Sequence, residues 1–142
     1  MTIAKLTQIY FIRVTDNISK VQKLCSLVSS HFTKKDKVLI TVPSNEAAVY
    51  LDQLLWKIPE ESFVPHSIAH STTKEQVVIT TTLSNINQAS ILINLSGNLH
   101  PNPGSAALIY ELLDMTSREK EAVSRQKQEA YRQAGHHVEE IL

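Results

Sequence analysis

The sequence predicts an α/β fold, Rossmann-like, with a largely parallel sheet carrying helices on both faces in a single domain spanning residues 1–142. Short runs of β-branched and aromatic residues alternate with segments whose apolar positions recur every three and four residues, the order that builds parallel sheets. The length of 142 residues lies near the commonest domain size and allows one core without disulfides or structural metal. The lone cysteine, Cys25, agrees, because it has no internal partner to bridge.

Taken in order, Gln8–Val14 (QIYFIRV) reads as a first strand closed by the turn residues Thr15, Asp16 and Asn17. From Ile18 the apolar positions Val21, Leu24, Cys25, Leu27, Val28 and Phe32 mark an amphipathic helix, with Lys34 and Lys35 where its carboxyl end favours positive charge. Residues 37–42 give a second strand. Pro43, Ser44, Asn45 and Glu46 then break the chain and cap a helix carrying Ala47, Ala48, Leu51, Leu54 and Leu55. Residues 62–66 form a short extended piece, and 76–82 and 90–95 are further strands rich in Val, Ile or Thr. Residues 106–115 suit a buried strand or a short helix, with a strand favoured. Residues 116–135 form the last helix: Thr116 and Glu119 fit a capping box, and Gly135 suits the left-handed residue that ends it. Its apolar stripe, Ala122, Val123, Ala130, Tyr131 and Ala134, is thin, so much of this helix is expected to face solvent or a partner. His136 and His137 read as an exposed tail.

Lys plus Arg and Asp plus Glu both total 14, so the chain as a whole has no electrostatic reason to hold a phosphate backbone. Contact with DNA is therefore expected to be indirect. The amino terminus lacks a signal-like apolar core and no apolar run spans a bilayer, which predicts a cytoplasmic protein with no membrane partner. The first strand-to-helix turn contains none of the chain's 3 glycines, so the phosphate-cradling loop of nucleotide-binding folds is missing. No catalytic residue, metal site or cofactor is assigned. Cys25 sits on an apolar helical stripe, and His66 and His70, four apart, follow Pro65, where a helical metal pair is not expected.

Two features stand out as binding elements. Trp56 closes a helix and is followed by Phe63 in a Pro-bounded extended segment, so two large aromatics flank one loop and offer an anchor for a partner. The last helix carries Arg118, Lys120, Arg125, Lys127 and Arg132 among Glu119, Glu121 and Glu129, which reads as a solvated face or as a site for an acidic peptide.

The stretch Leu51–His66 (LDQLLWKIPEESFVPH) and the carboxyl-terminal Ala130–Gly135 (AYRQAG) resemble the chi subunit family of bacterial DNA polymerase III. The resemblance implies a Rossmann-like accessory subunit of the clamp loader that pairs with the psi subunit and binds the acidic tail of single-stranded DNA-binding protein. Trp56, Phe63 and Pro65 are then the surface for psi or a competing helicase, and Arg125, which faces the tail's terminal carboxylate, binds the tail together with Lys127 and Arg132. Gln128 and Glu129 depart from the family pattern, standing where an aromatic residue and a lysine are common. Two other readings are a small nucleotide-binding or hydrolytic enzyme, and a structural homodimer that uses the aromatic surface on itself.

Overall fold

The computed structural model describes residues 7–57, 64–101 and 103–142. Its elements in chain order are β1 (Gln8–Val14), α1 (Asn17–Thr33), β2 (Val38–Thr41), α2 (Asn45–Lys57), β3 (Ser67–Ile68), β4 (Val77–Thr80), β5 (Ile91–Asn94), β6 (Leu108–Asp114), α3 (Arg118–Gln133) and β7 (His137–Ile141), with a short 3-10 turn at Pro103–Ser105. The strands form one sheet in the order β3-β4-β2-β5-β6-β1-β7, and every neighbouring pair is parallel. This is the predicted α/β, Rossmann-like architecture.

Strand alternation produces two cores. Ile12, Val14, Val38, Ile40, Val77, Ile79, Ile91 and Ile93 pack with Leu24, Cys25 and Val28 of α1 and Leu51 and Leu55 of α2. The intervening residues Ile9, Phe11, Leu39, Val78, Leu92, Ile109 and Leu113 pack on the opposite face with Tyr131 of α3. Strands β2, β4 and β5 are buried on both faces, which is why they read as continuous apolar runs.

The helix ends follow from local chemistry. The Asp16 carboxylate accepts from the Ser19 amide at 2.7 Å, and Ser44 Oγ accepts from the Ala47 amide at 3.1 Å, so both residues cap. Gly135, at φ +90°, and His136 donate to the carbonyls of Arg132 and Tyr131, the paired bonds that close a helix on a left-handed residue. Lys35, at φ 66°, plays the same part for α1, donating to Phe32 while Asp36 donates to His31. A lysine read as a charge at the helix end is thus also its left-handed terminator.

Three sequence expectations are corrected. The cap of α3 is Ser117, whose hydroxyl accepts from the Lys120 amide at 3.1 Å; Thr116 Oγ1 instead donates to Asp114. Ala122, Val123 and Ala134 are exposed, and α3 packs through Ser124, Gln128 and Tyr131, a mostly polar face. Residues 137–141 are strand β7 beside β1, not a tail, because a parallel neighbour satisfies their backbone although most of their side chains face water. Ser67 and Ile68 add a short edge strand on β4, directly after the extended segment read over 62–66, of which residues 62 and 63 lie outside the described residues. Residues 106–115 contain strand β6, the favoured of the two alternatives.

Candidate partner-binding surfaces

The carboxyl ends of the central strands open onto an apolar pocket of about 500 Å³, whose lining includes Leu24, Leu51, Leu54, Leu95, Leu112 and Val123. In related folds this crevice binds nucleotides. Here the amino-terminal amides of α1 already meet an anion, the Asp16 carboxylate. Those amide bonds hold its pKa below the ordinary carboxylate value. Asp114, at the end of β6, accepts from Lys20 Nζ at 2.8 Å and from the Thr116 hydroxyl and amide. Cys25 lines the same pocket, buried, with its thiol pKa pushed up by desolvation, the opposite of what an activated nucleophile needs.

Trp56, in the last turn of α2, has about half its surface (49%) exposed. Its indole lies on the imidazole of His66, with ring centroids 4.2 Å apart. The His66 side chain is fully buried, and its ring nitrogens lie 2.7 Å from the Val64 carbonyl and 3.0 Å from the Asp52 carbonyl. A fixed ring therefore sits beneath a half-exposed one, so Trp56 is presented in one orientation and loses little freedom on binding. Both His66 ring nitrogens thus meet backbone carbonyls, and His70 Nδ1 lies 3.3 Å from Thr81 Oγ1. Among the described residues, no group of three or more His, Cys, Asp or Glu side chains is placed to hold a metal ion.

Pro65 is exposed next to His66, while Phe63 lies outside the described residues. Val49, seven residues before Trp56 and hence on the same helical stripe, is also half exposed, and Tyr50 beside it is more so. These two extend the apolar surface in a direction the sequence reading missed. The available signal was an apolar pair, Val49 and Tyr50, on the outward side of the Ala48–Leu51–Leu55 stripe.

The three basic residues assigned to an acidic peptide are not brought together. Arg125 and Arg132 lie seven apart on one flank of α3, and Lys127 points to the other. Lys127 reaches into the protein, donating to the Ser96 carbonyl at 2.7 Å and to Glu111 Oε1 at 3.0 Å. Glu111 is 1% exposed and also accepts from Tyr131 Oη at 2.6 Å and Asn94 Nδ2 at 2.7 Å. Burial raises its pKa, opposed by the nearby Lys127 charge and these hydrogen bonds.

Arg132 is exposed, whereas Arg125 is engaged. Arg125 Nη1 donates to Glu140 Oε1 at 2.7 Å, and its Nε lies 3.6 Å from Glu121. Arg13 of β1 donates to the other Glu140 oxygen at 2.9 Å, and the buried Gln128 gives its amide to Oε1 at 2.9 Å. Held first by Gln128, then by Arg13 and Arg125, Glu140 has its pKa lowered to about 2. Glu129 is exposed and accepts from Gln133.

Among the described residues no helix is long and apolar enough to cross a membrane. The family profile described as DNA polymerase III chi subunit, HolC, matches residues 6–139. The DNA polymerase III subunit chi of Haemophilus influenzae is 26% identical over 133 residues, covering 92% of this chain and 90% of that protein. The subunit of the same name from Escherichia coli strain K12 is 38% identical over 55 residues, 38% of this chain and 37% of that protein.

Proposed function

The chain belongs to the DNA polymerase III chi subunit family, and from this premise we propose that it serves DNA replication as a non-catalytic adapter within the polymerase complex. In this reading it joins the psi subunit of the clamp loader to the acidic carboxyl-terminal tail of single-stranded DNA-binding protein. The observation that carries the psi contact is Trp56, half exposed on a buried His66, in line with Val49 and beside the exposed Pro65. A rigid aromatic anchor bordered by apolar neighbours is the usual centre of a protein interface. Phe63 joins this surface on the family resemblance, and a helicase competes for it. The tail contact falls to Arg125 and Arg132, with Lys127 on the far flank of the helix serving the interior. The balanced charge supports DNA contact through these proteins rather than directly.

The test is calorimetric titration of the folded chain with the psi subunit. A saturable complex, weakened about thirtyfold or more by Trp56→Ala, the loss expected for an interface hot spot, supports the reading. Equal affinity of the two proteins for psi refutes the Trp56 surface, and self-association of the chain abolished by Trp56→Ala establishes the homodimer instead.

A further inference from the structure

Glu140 stands where a ligand would. Its two oxygens are met by two guanidinium groups and a carboxamide: Arg13 on one oxygen, Arg125 and Gln128 on the other, at 2.7–2.9 Å. Three donors from two elements, β1 and α3, thus converge on one carboxylate supplied by β7. That is the arrangement expected of a receptor for a carboxylate, since guanidinium groups match its geometry and charge. Resting on the tail-binding reading above, we infer that Glu140 is an intramolecular substitute for the terminal carboxylate of an acidic peptide and holds this face of α3 closed until a peptide displaces it.

The placement of the parts favours a displaceable contact. The side chains of Arg13 and Arg125 are 45% and 46% exposed and that of Glu140 is 27% exposed, so solvent and a second carboxylate reach the cluster from outside. Gln128 approaches from the buried side, at 2% exposure, and fixes the floor of the site. Gln128, a departure from the family pattern, therefore has a definite role, since its amide gives the internal carboxylate a neutral donor. Glu121, 3.6 Å from Arg125 Nε, adds a second internal carboxylate, leaving the cluster of two cations and two anions neutral. An acidic peptide gains Arg125 only by exchanging with these groups, and its apparent affinity falls by the fraction of time the site stands open.

The test is a fluorescence-polarisation titration with a labelled peptide matching the acidic tail of single-stranded DNA-binding protein, made once with a free terminal carboxylate and once amidated. Glu140→Gln is expected to bind the free-acid peptide about tenfold more tightly than the wild type, with no comparable gain for the amidated one. Arg125→Ala added to Glu140→Gln removes the gain. Glu139→Gln, which deletes a neighbouring charge bonded to His137 rather than to Arg125, leaves affinity unchanged. Equal binding by wild type and Glu140→Gln, both weakened by Arg125→Ala, overturns the internal lock and leaves the tail site standing. A gain shared by Glu139→Gln, or kept without Arg125, also overturns the lock, because it then reflects overall charge. Absence of binding by every variant overturns the tail reading along with it.

Discussion

Replacing Lys127 with methionine separates a structural lysine from a ligand-binding one. Its ammonium lies 3.0 Å from Glu111, which is 1% exposed, and its side chain is 11% exposed. At that distance and an effective dielectric of about 20, the attraction is on the order of 5 kcal/mol, and removing one partner of a buried pair costs about 3–5 kcal/mol. The loss should depend on pH. The folded pKa of Glu111 is already raised above its ordinary value of 4.5. Such a carboxyl contributes stability that is fully present below the unfolded value and is lost as pH rises through the folded one. Without Lys127 the folded value climbs further. The deficit of Lys127→Met is therefore larger at pH 7.5 than near pH 4.5, the ordinary value from which burial raises Glu111. Urea denaturation at the two pH values measures this, and Glu111→Gln placed in the same chain should recover at least half of the neutral-pH loss. A neutral-pH deficit below about 1 kcal/mol, far short of the buried-pair cost, or one equal at both pH values, refutes the reasoning and returns Lys127 to the surface.

Tyr131→Phe removes the hydroxyl that donates to Glu111 and accepts from the His100 amide. Leaving those buried groups short of a partner should lower stability by about 1–3 kcal/mol, read from the urea midpoint. Cys25, buried and with its thiol pKa raised, should resist a thiol reagent in the native state and react at the rate of global unfolding in mild denaturant; rapid native labelling contradicts its packing. Glu140, with its folded pKa lowered to about 2, contributes stability that is present above its ordinary value of 4.5 and lost as pH falls towards 2. Acid titrations of wild type and Glu140→Gln should therefore diverge above that window and converge below it.

Strands β1, β2, β4 and β5 and helices α1 and α2 were legible because each carries an unbroken apolar pattern of one period. Strand β6 was ambiguous because its mixture of Ala, Leu and Ile suits a strand or a short helix, and pairing with β1 and β5 on either side makes it a strand. Strand β7 could not be read: in HVEEI only Val138 and Ile141 pack inward, and the strand exists because β1 offers it a free edge. The α3 cap moved by one residue because Asp114 engages Thr116 and leaves Ser117 to cap, a choice between two hydroxyls that local sequence does not distinguish. Trp56 announced itself by type and position. Glu111, a charge inside an apolar strand, was a signal of a buried network that went unused. The fates of Lys127 and Arg125 depend on Glu111 and Glu140, respectively 16 and 15 residues away in sequence, so no pattern along the helix reveals them.

The most direct test of the adapter account is an amide and indole NMR titration of the isotope-labelled chain with unlabelled psi subunit. The account predicts that the Trp56 indole signal and the amides of residues 49–57, Val64 and 66–68 shift or broaden together, while those around Glu111 and Lys127 stay in place. Saturable binding that perturbs α3 and leaves the Trp56 indole unmoved contradicts it.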